Sequence, residues 1–305
     1  MAITPKKAAP APKKPAPPAT KTAVAKVPEP PSTKVVLAEQ QAMLERDALQ
    51  DRDTFGRDDL ATPFLRVLQP LSPQTQRGHE KYVEGAEPGM FIDTADNELW
   101  DGEEGIVILP VHYTPSYIEW KLREAGGGLV KDHGAVAPDL PTHRDDKNRE
   151  LLPSGNQLVK SGLYFVFLID PDTGNYKQLA FPLAGMQLKK SRQWNTRMKS
   201  IKIPRGDDPS STFVPAIFYT AWKITTQFES NEKGSWHGVN IEPLKPVPQL
   251  GSWGWSVYKA AQEFKAMIAR GDVKVKPMEA DEEIAEVVHE DGETHPTGSR
   301  GKEPF

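Results

Sequence analysis

The longest unbroken apolar run lies mid-chain, from Leu163 through Tyr164, Phe165, Val166, Phe167 and Leu168 to Ile169. It predicts a strand covered on both faces. Asp170 to Asn175 has turn chemistry, and Tyr176 to Leu183 should return as the hairpin partner. Ile106 to Leu109 is a second short buried run. Tyr117 to Leu122 alternates, with Ile118, Trp120 and Leu122 on one face and Tyr117, Glu119 and Lys121 on the other. Phe213 to Phe228 reads as one long β-type run. It would set Phe218, Trp222, Ile224 and Phe228 on one face and Ile217, Tyr219, Lys223 and Gln227 on the other. Pro215 confines its start to an edge or a bend.

Three segments follow the helical period. Val35 to Leu49 is rich in helix formers. Trp253, Val257, Ala261, Phe264 and Ile268 predict a closing helix, with Ser252 as its cap and Gly271 just past its end. Met186 to Ser200, read as a helix, places Met186, Lys190, Trp194 and Met198 on one face. Pro63 to Leu68 is a short apolar segment closed by Pro70 and Pro73, Asp51 to Asp59 is too charged for a core element, and Lys131 to Asn156 reads as a long polar loop after Gly126-Gly127-Gly128. The expected architecture is mainly β with flanking helices, an oligonucleotide-binding-like small barrel with insertions. Strand count leaves a sandwich open. Trp120, Trp222, Trp236, Trp253 and Trp255 read as packing residues.

Composition adds tails to this picture. Residues 1–34 hold seven lysines, one acid and nine prolines, which predicts an extended, disordered arm. Residues 278–305 carry nine carboxylates against Arg300 and Lys302 and end in Glu303-Pro304-Phe305, which predicts a disordered acidic tail. Between them, 35–277 reads as a single β-rich domain of nearly balanced charge, so a binding site there must be a local patch. The chain has no cysteine, which excludes disulfides and thiol chemistry. No apolar stretch approaches a membrane span and no secretory signal is present, so a cytoplasmic location is expected.

The local patch is Met186 to Arg205. Lys189, Lys190, Arg192, Arg197, Lys199, Lys202 and Arg205 occur there with no Asp or Glu. Cations in a row provide sequence-independent affinity for phosphates through counterion release. Trp194 either stacks on a base or anchors the helix. Tyr219 with Lys223, and Tyr117 with Lys121, pair an aromatic with a cation as a single-strand platform requires. Catalytic spacing is scarce. The best enzyme pattern is Asp101 with Glu119 and Lys121, a nuclease-like set in which two carboxylates would hold Mg²⁺. His133 and His143 share a polar loop and read as solvated. No cofactor and no resident metal are expected.

Pro63 to Gln74 (PFLRVLQPLSPQ), Glu87 to Phe91 (EPGMF) and Gln187 to Met198 (QLKKSRQWNTRM) resemble phage-encoded proteins of the single-stranded DNA-binding type. The acidic tail ending in Phe is similar to the tails of such proteins, although Arg300 and Lys302 interrupt its final carboxylates. The resemblance implies an oligonucleotide-binding barrel, non-enzymatic coating of single strands in replication or recombination, and a tail that masks the groove and recruits partners through Glu303, Pro304 and Phe305. The alternatives are a phage virion or assembly protein with flexible arms, and the Mg²⁺-dependent nuclease.

Overall fold

The structure, a computed structural model, describes residues 40, 42–44, 46–47, 62–206, 208–231, 234–273 and 275. The chain divides into two compact units, Met1–Thr54 and Phe55–Phe305. In the first, the described residues between 40 and 47 are helical, within the span predicted as a helix. The arm at 1–34 and the tail at 278–305, with Glu303, Pro304 and Phe305, lie outside the described residues.

The second unit is mainly β. Its strands are β1 (Leu65–Val67), β2 (Phe91–Asp93), β3 (Leu99–Trp100), β4 (Ile106–Trp120), β5 (Leu129–Gly134), β6 (His143–Arg144), β7 (Glu150–Leu151), β8 (Gln157–Ile169), β9 (Tyr176–Ala184), β10 (Ile203–Arg205), β11 (Asp208–Phe213), β12 (Thr220–Asn231) and β13 (Gly234–Pro246). Two helices accompany them, α1 (Leu188–Ser200) and α2 (Gly254–Ala269). Eight strands form one antiparallel sheet, curled into a half-barrel. Long strands β4 and β8 are its spine, paired from Val107↔Ile169 to Trp120↔Gln157. The β12–β13 hairpin joins β4 at Ile106–Ile108, β5 joins it near Trp120, and β9 lies along β8. Strands β1, β2 and β3 make a small second sheet, and β10–β11 a two-stranded ribbon.

Alternation splits the apolar residues between two cores. Ile106, Ile108, Tyr164, Val166, Leu168, Trp222 and Ile224 face α1 and the small sheet. Leu109, Val111, Phe165, Phe167, Ile169 and Ala221 face α2. Strand β8 is therefore apolar at successive positions because a helix covers each face, as its unbroken run predicts. Helix α2 buries Val257, Ala261 and Phe264 at the expected period, and Gly271 adopts φ +75° two residues beyond its end.

The hairpin return at Tyr176–Ala184 and the buried run from Ile106 hold as read, and four expectations need correction. Phe213 to Phe228 is not one strand. β11 ends at Phe213, a 3-10 turn occupies Ile217–Tyr219, and β12 begins at Thr220 with a register shift before Trp222. The turn sends Phe218 to the α2 side while Trp222 and Ile224 face α1. The polar stretch 131–156 contributes β5, β6 and β7 rather than loop alone. Ser252 does not cap α2, since Trp253 holds that position without a side-chain bond. Trp255 is 60% exposed rather than packed.

Candidate nucleic-acid interface

Helix α1 owes its position to its buried face. Trp194 is 1% exposed and Met198 is also buried. The Trp194 ring lies 4.4 Å from Tyr164 and meets Trp222 edge-on at 5.9 Å. The Tyr164 hydroxyl is 2.8 Å from Ser191 Oγ and 3.0 Å from Asn195 Oδ1. Gly162 makes this approach possible, because a Cβ there would collide with Ser191 Oγ. Trp194 thus anchors the helix, and its burial removes it as a base-stacking residue.

Two of the cations also serve the fold. The sheet edge at β13 would present unpaired backbone groups. Gln69 pairs with both N–H and C=O of His237, each at 2.9 Å. Gln187 accepts from Val239 N at 3.3 Å, and Arg197 donates to Ile241 O at 2.7 Å. Three side chains thereby close an edge from Gly234–Pro246, whose two prolines already disfavour pairing. Lys190 bonds Glu229 of β12. Burial would raise the Glu229 pKa, but hydrogen bonds from Lys190, Gln227 and Trp236 win and hold it below the ordinary value. None of these partners is near in sequence, and no local signal marks Gln69, Gln187 or Glu229.

The remaining cations face outward. Lys189, Arg192, Thr196 and Lys199 recur at i, i+3, i+7 and i+10, opposite Trp194, and all are exposed. The row spans about 15 Å of helix. Lys189, Arg192, Lys199 and Lys202 have no ion pair among the described residues. Lys202 leads directly into the ribbon. There Arg205 lies 5.5 Å over the ring of Phe213, which is 40% exposed and pairs with Ile203.

The other predicted residues do not join this face by the geometry expected of them. Tyr219 is half-buried in the 3-10 turn, so it does not share a strand face with exposed Lys223, which pairs in register with Val107 and Glu242. Tyr117 is half-buried beneath Lys160, whose ammonium is 5.3 Å from its ring, and Lys121 lies exposed past the end of β4. The nuclease set is dispersed. Asp101 binds the backbone of Glu103 and Glu104 before β4, whereas Glu119 lies near its far end, on the order of 40 Å along the strand. Glu119 accepts from Asn156 at 2.6 Å and His133 at 3.0 Å, and these bonds hold its pKa low. Among the described residues no group of three or more His, Asp or Glu is placed to hold a metal.

Comparison with known proteins gives one decisive match. Residues 32–274 match the family described as Pam3 phage gp34-like protein. The chain belongs to that family of phage proteins. No curated protein and no solved structure matches it. The family's span includes β1 to β13 and both helices, so the outward face of α1 is part of the shared domain. Among the described residues no helix of this phage protein is long and apolar enough to cross a membrane.

Proposed function

We propose that this phage protein binds single-stranded DNA without catalysis, as a coat for transiently exposed strands in replication or recombination. The observation that supports it is the outer face of α1. A solvated helix face ordinarily mixes both signs, yet α1 carries five cations and no carboxylate. Three of them form a row without ion pairs, continued by Lys202. Such a row neutralises successive phosphates. Phe213, exposed and paired with Ile203, the residue after Lys202, takes the stacking role that buried Trp194 cannot. Stacking requires an unpaired base, which favours a single strand over a duplex. The acidic segment 278–305 would compete for the same cations and offer Phe305 to replication or recombination partners.

The test is fluorescence anisotropy of labelled oligo-dT, with EDTA present, duplex as competitor and salt stepped upward. The parent should bind in a salt-sensitive way that duplex does not reverse. Replacing Lys189, Arg192 and Lys199 together by Ala should lower affinity at least about tenfold at low salt and reduce the salt slope by about two units. An unchanged slope would place the strand elsewhere. No binding by the parent would abandon the function. A virion or assembly role would then lead, and exposed Trp255 favours it as a surface for another protein.

A further inference from the structure

Strand β4 is half-exposed at every position from His112 to Ile118, so neither of its faces is fully covered there. Its register with β8 sets Tyr113 opposite Tyr164, Pro115 opposite Gly162 and Tyr117 opposite Lys160. Opposed residues of an antiparallel pair point to the same side of the sheet. Tyr164 faces α1, so Tyr113, Tyr117 and Lys160 lie on the α1 face as well. Tyr113 packs at 5.0 Å on the Tyr164 ring, and it shares the space over Gly162 with Ser191 of the helix. Lys190 and Arg197 turn to the β12–β13 hairpin, on Glu229 and Ile241 O. At about 100° per residue, Arg192 and Lys199 each leave α1 about 200° from those two, on the side away from that hairpin. The open stretch of sheet spans about 13 Å from Tyr113 to Tyr117. It ends at Glu119, which is buried and engaged by Asn156 and His133.

We propose that the bound strand leaves the N-terminal end of the α1 row and continues across this face, with Lys160 on a further phosphate and Tyr113 and Tyr117 against bases. The proposal rests on the single-strand function above and adds the route of the strand to it. Lys160 is exposed, and its ammonium lies 5.3 Å over the Tyr117 ring. It has no ion pair among the described residues. Its position marks the ring face that is open to solvent. A cation over a ring at an exposed site is held weakly. A phosphate is the stronger partner, because its bond to the ammonium joins two charges. Lys160 can therefore move from the ring to the backbone of the strand, and the uncovered ring takes a base. Stacking of this kind tolerates any base, as a general coat requires.

The experiment compares labelled oligo-dT of about 6 and about 16 nucleotides, near the two ends of single-strand site sizes, at low salt. Lys160→Gln combined with Tyr117→Leu should weaken binding of the long strand about fivefold or more. Binding of the short strand, which the α1 row suffices to hold, should stay as in the parent. Lys160→Gln alone should lower the salt slope for the long strand by about one unit. That variant is a surface change, so it carries the test if Tyr117→Leu disturbs the fold. Tyr117→Phe keeps the ring and should bind the long strand as the parent does. A long strand bound equally well by the parent and by Lys160→Gln, with an unchanged slope, overturns the route and leaves the single-strand function standing. Equal weakening at both lengths also overturns it, since the loss would not come from a second stretch of the strand. Absence of binding to either strand by the parent overturns both.

Discussion

Helices α1 and α2 cover opposite faces of one sheet, and their inner faces are alike. Each buries a large aromatic against β8, Trp194 on Tyr164 and Phe264 on Phe167, with ring centroids 4.4 Å and 5.4 Å apart. Their outer faces differ. Helix α2 mixes Lys259 and Lys265 with Glu263, and its other residues are uncharged. Helix α1 has cations only, and places Lys189 and Lys190 in its first turn, where the helix dipole is positive and the helix carries no acid of its own. Covering a sheet does not require that arrangement, as α2 demonstrates. The cationic excess of α1 works locally against its own stability, which points to a use outside the fold.

The equality of the inner faces can be broken first, and with the largest effect. Trp194→Ala and Phe264→Ala should each destabilise the protein by about 3–5 kcal/mol, measured as a shift in the urea midpoint at constant slope. Both side chains are nearly fully buried in the two cores. A cost near zero for Trp194→Ala would mean that α1 is not seated as described, and the outward row would lose its frame.

The inner faces are also the part most legible in the sequence. The unbroken run of β8 and the spacing of Val257, Ala261 and Phe264 each report burial by a rigid period, so they could be read without knowledge of partners. What defeated the sequence was long-range geometry. The alternation from Phe213 to Phe228 continues through Ile217–Tyr219, but the chain turns there, and a turn of three residues leaves the pattern intact while reversing the face. Strand β13 was missed because Gly234, Gly238, Pro243 and Pro246 lower its strand propensity, and its edge is completed by Gln69, Gln187 and Arg197 from distant segments. The basic segment was legible as a patch. Its division into anchoring Lys190 and Arg197 and outward Lys189, Arg192 and Lys199 depends on Glu229 and Ile241, which no spacing within the segment reveals.

That division gives a smaller effect with a defined pH dependence. Lys190 with Glu229 ties α1 to β12, and among the described residues no ion pair ties α2 to the sheet. The folded Glu229 has a pKa below the ordinary 4.5. Its contribution is therefore fully present above that value and is lost as pH falls through the lower folded pKa. Glu229→Gln should cost about 1 kcal/mol at neutral pH, and the gap from the parent should close in acid below the folded value. A gap of constant size across that range would mean that shape rather than charge holds the contact.

The smallest expected effect separates the two helices most sharply. Lys189 is exposed in the first turn of α1, where a cation opposes the dipole. Lys189→Glu should stabilise the helix end by about 0.3–1 kcal/mol, read as a higher urea midpoint. The same change places an anion in the phosphate row, so affinity for oligo-dT at low salt should fall by more than Lys189→Ala lowers it. On an ordinary covering helix such as α2 a stabilising surface change would have no binding consequence. A Lys189→Glu protein that is more stable and binds the strand as tightly as the parent would make α1 a cover like α2, and the excess of cations would need another cause. A protein that is more stable and binds weakly shows fold and binding pulling the same residue in opposite directions, which is the signature of a side chain retained for its ligand.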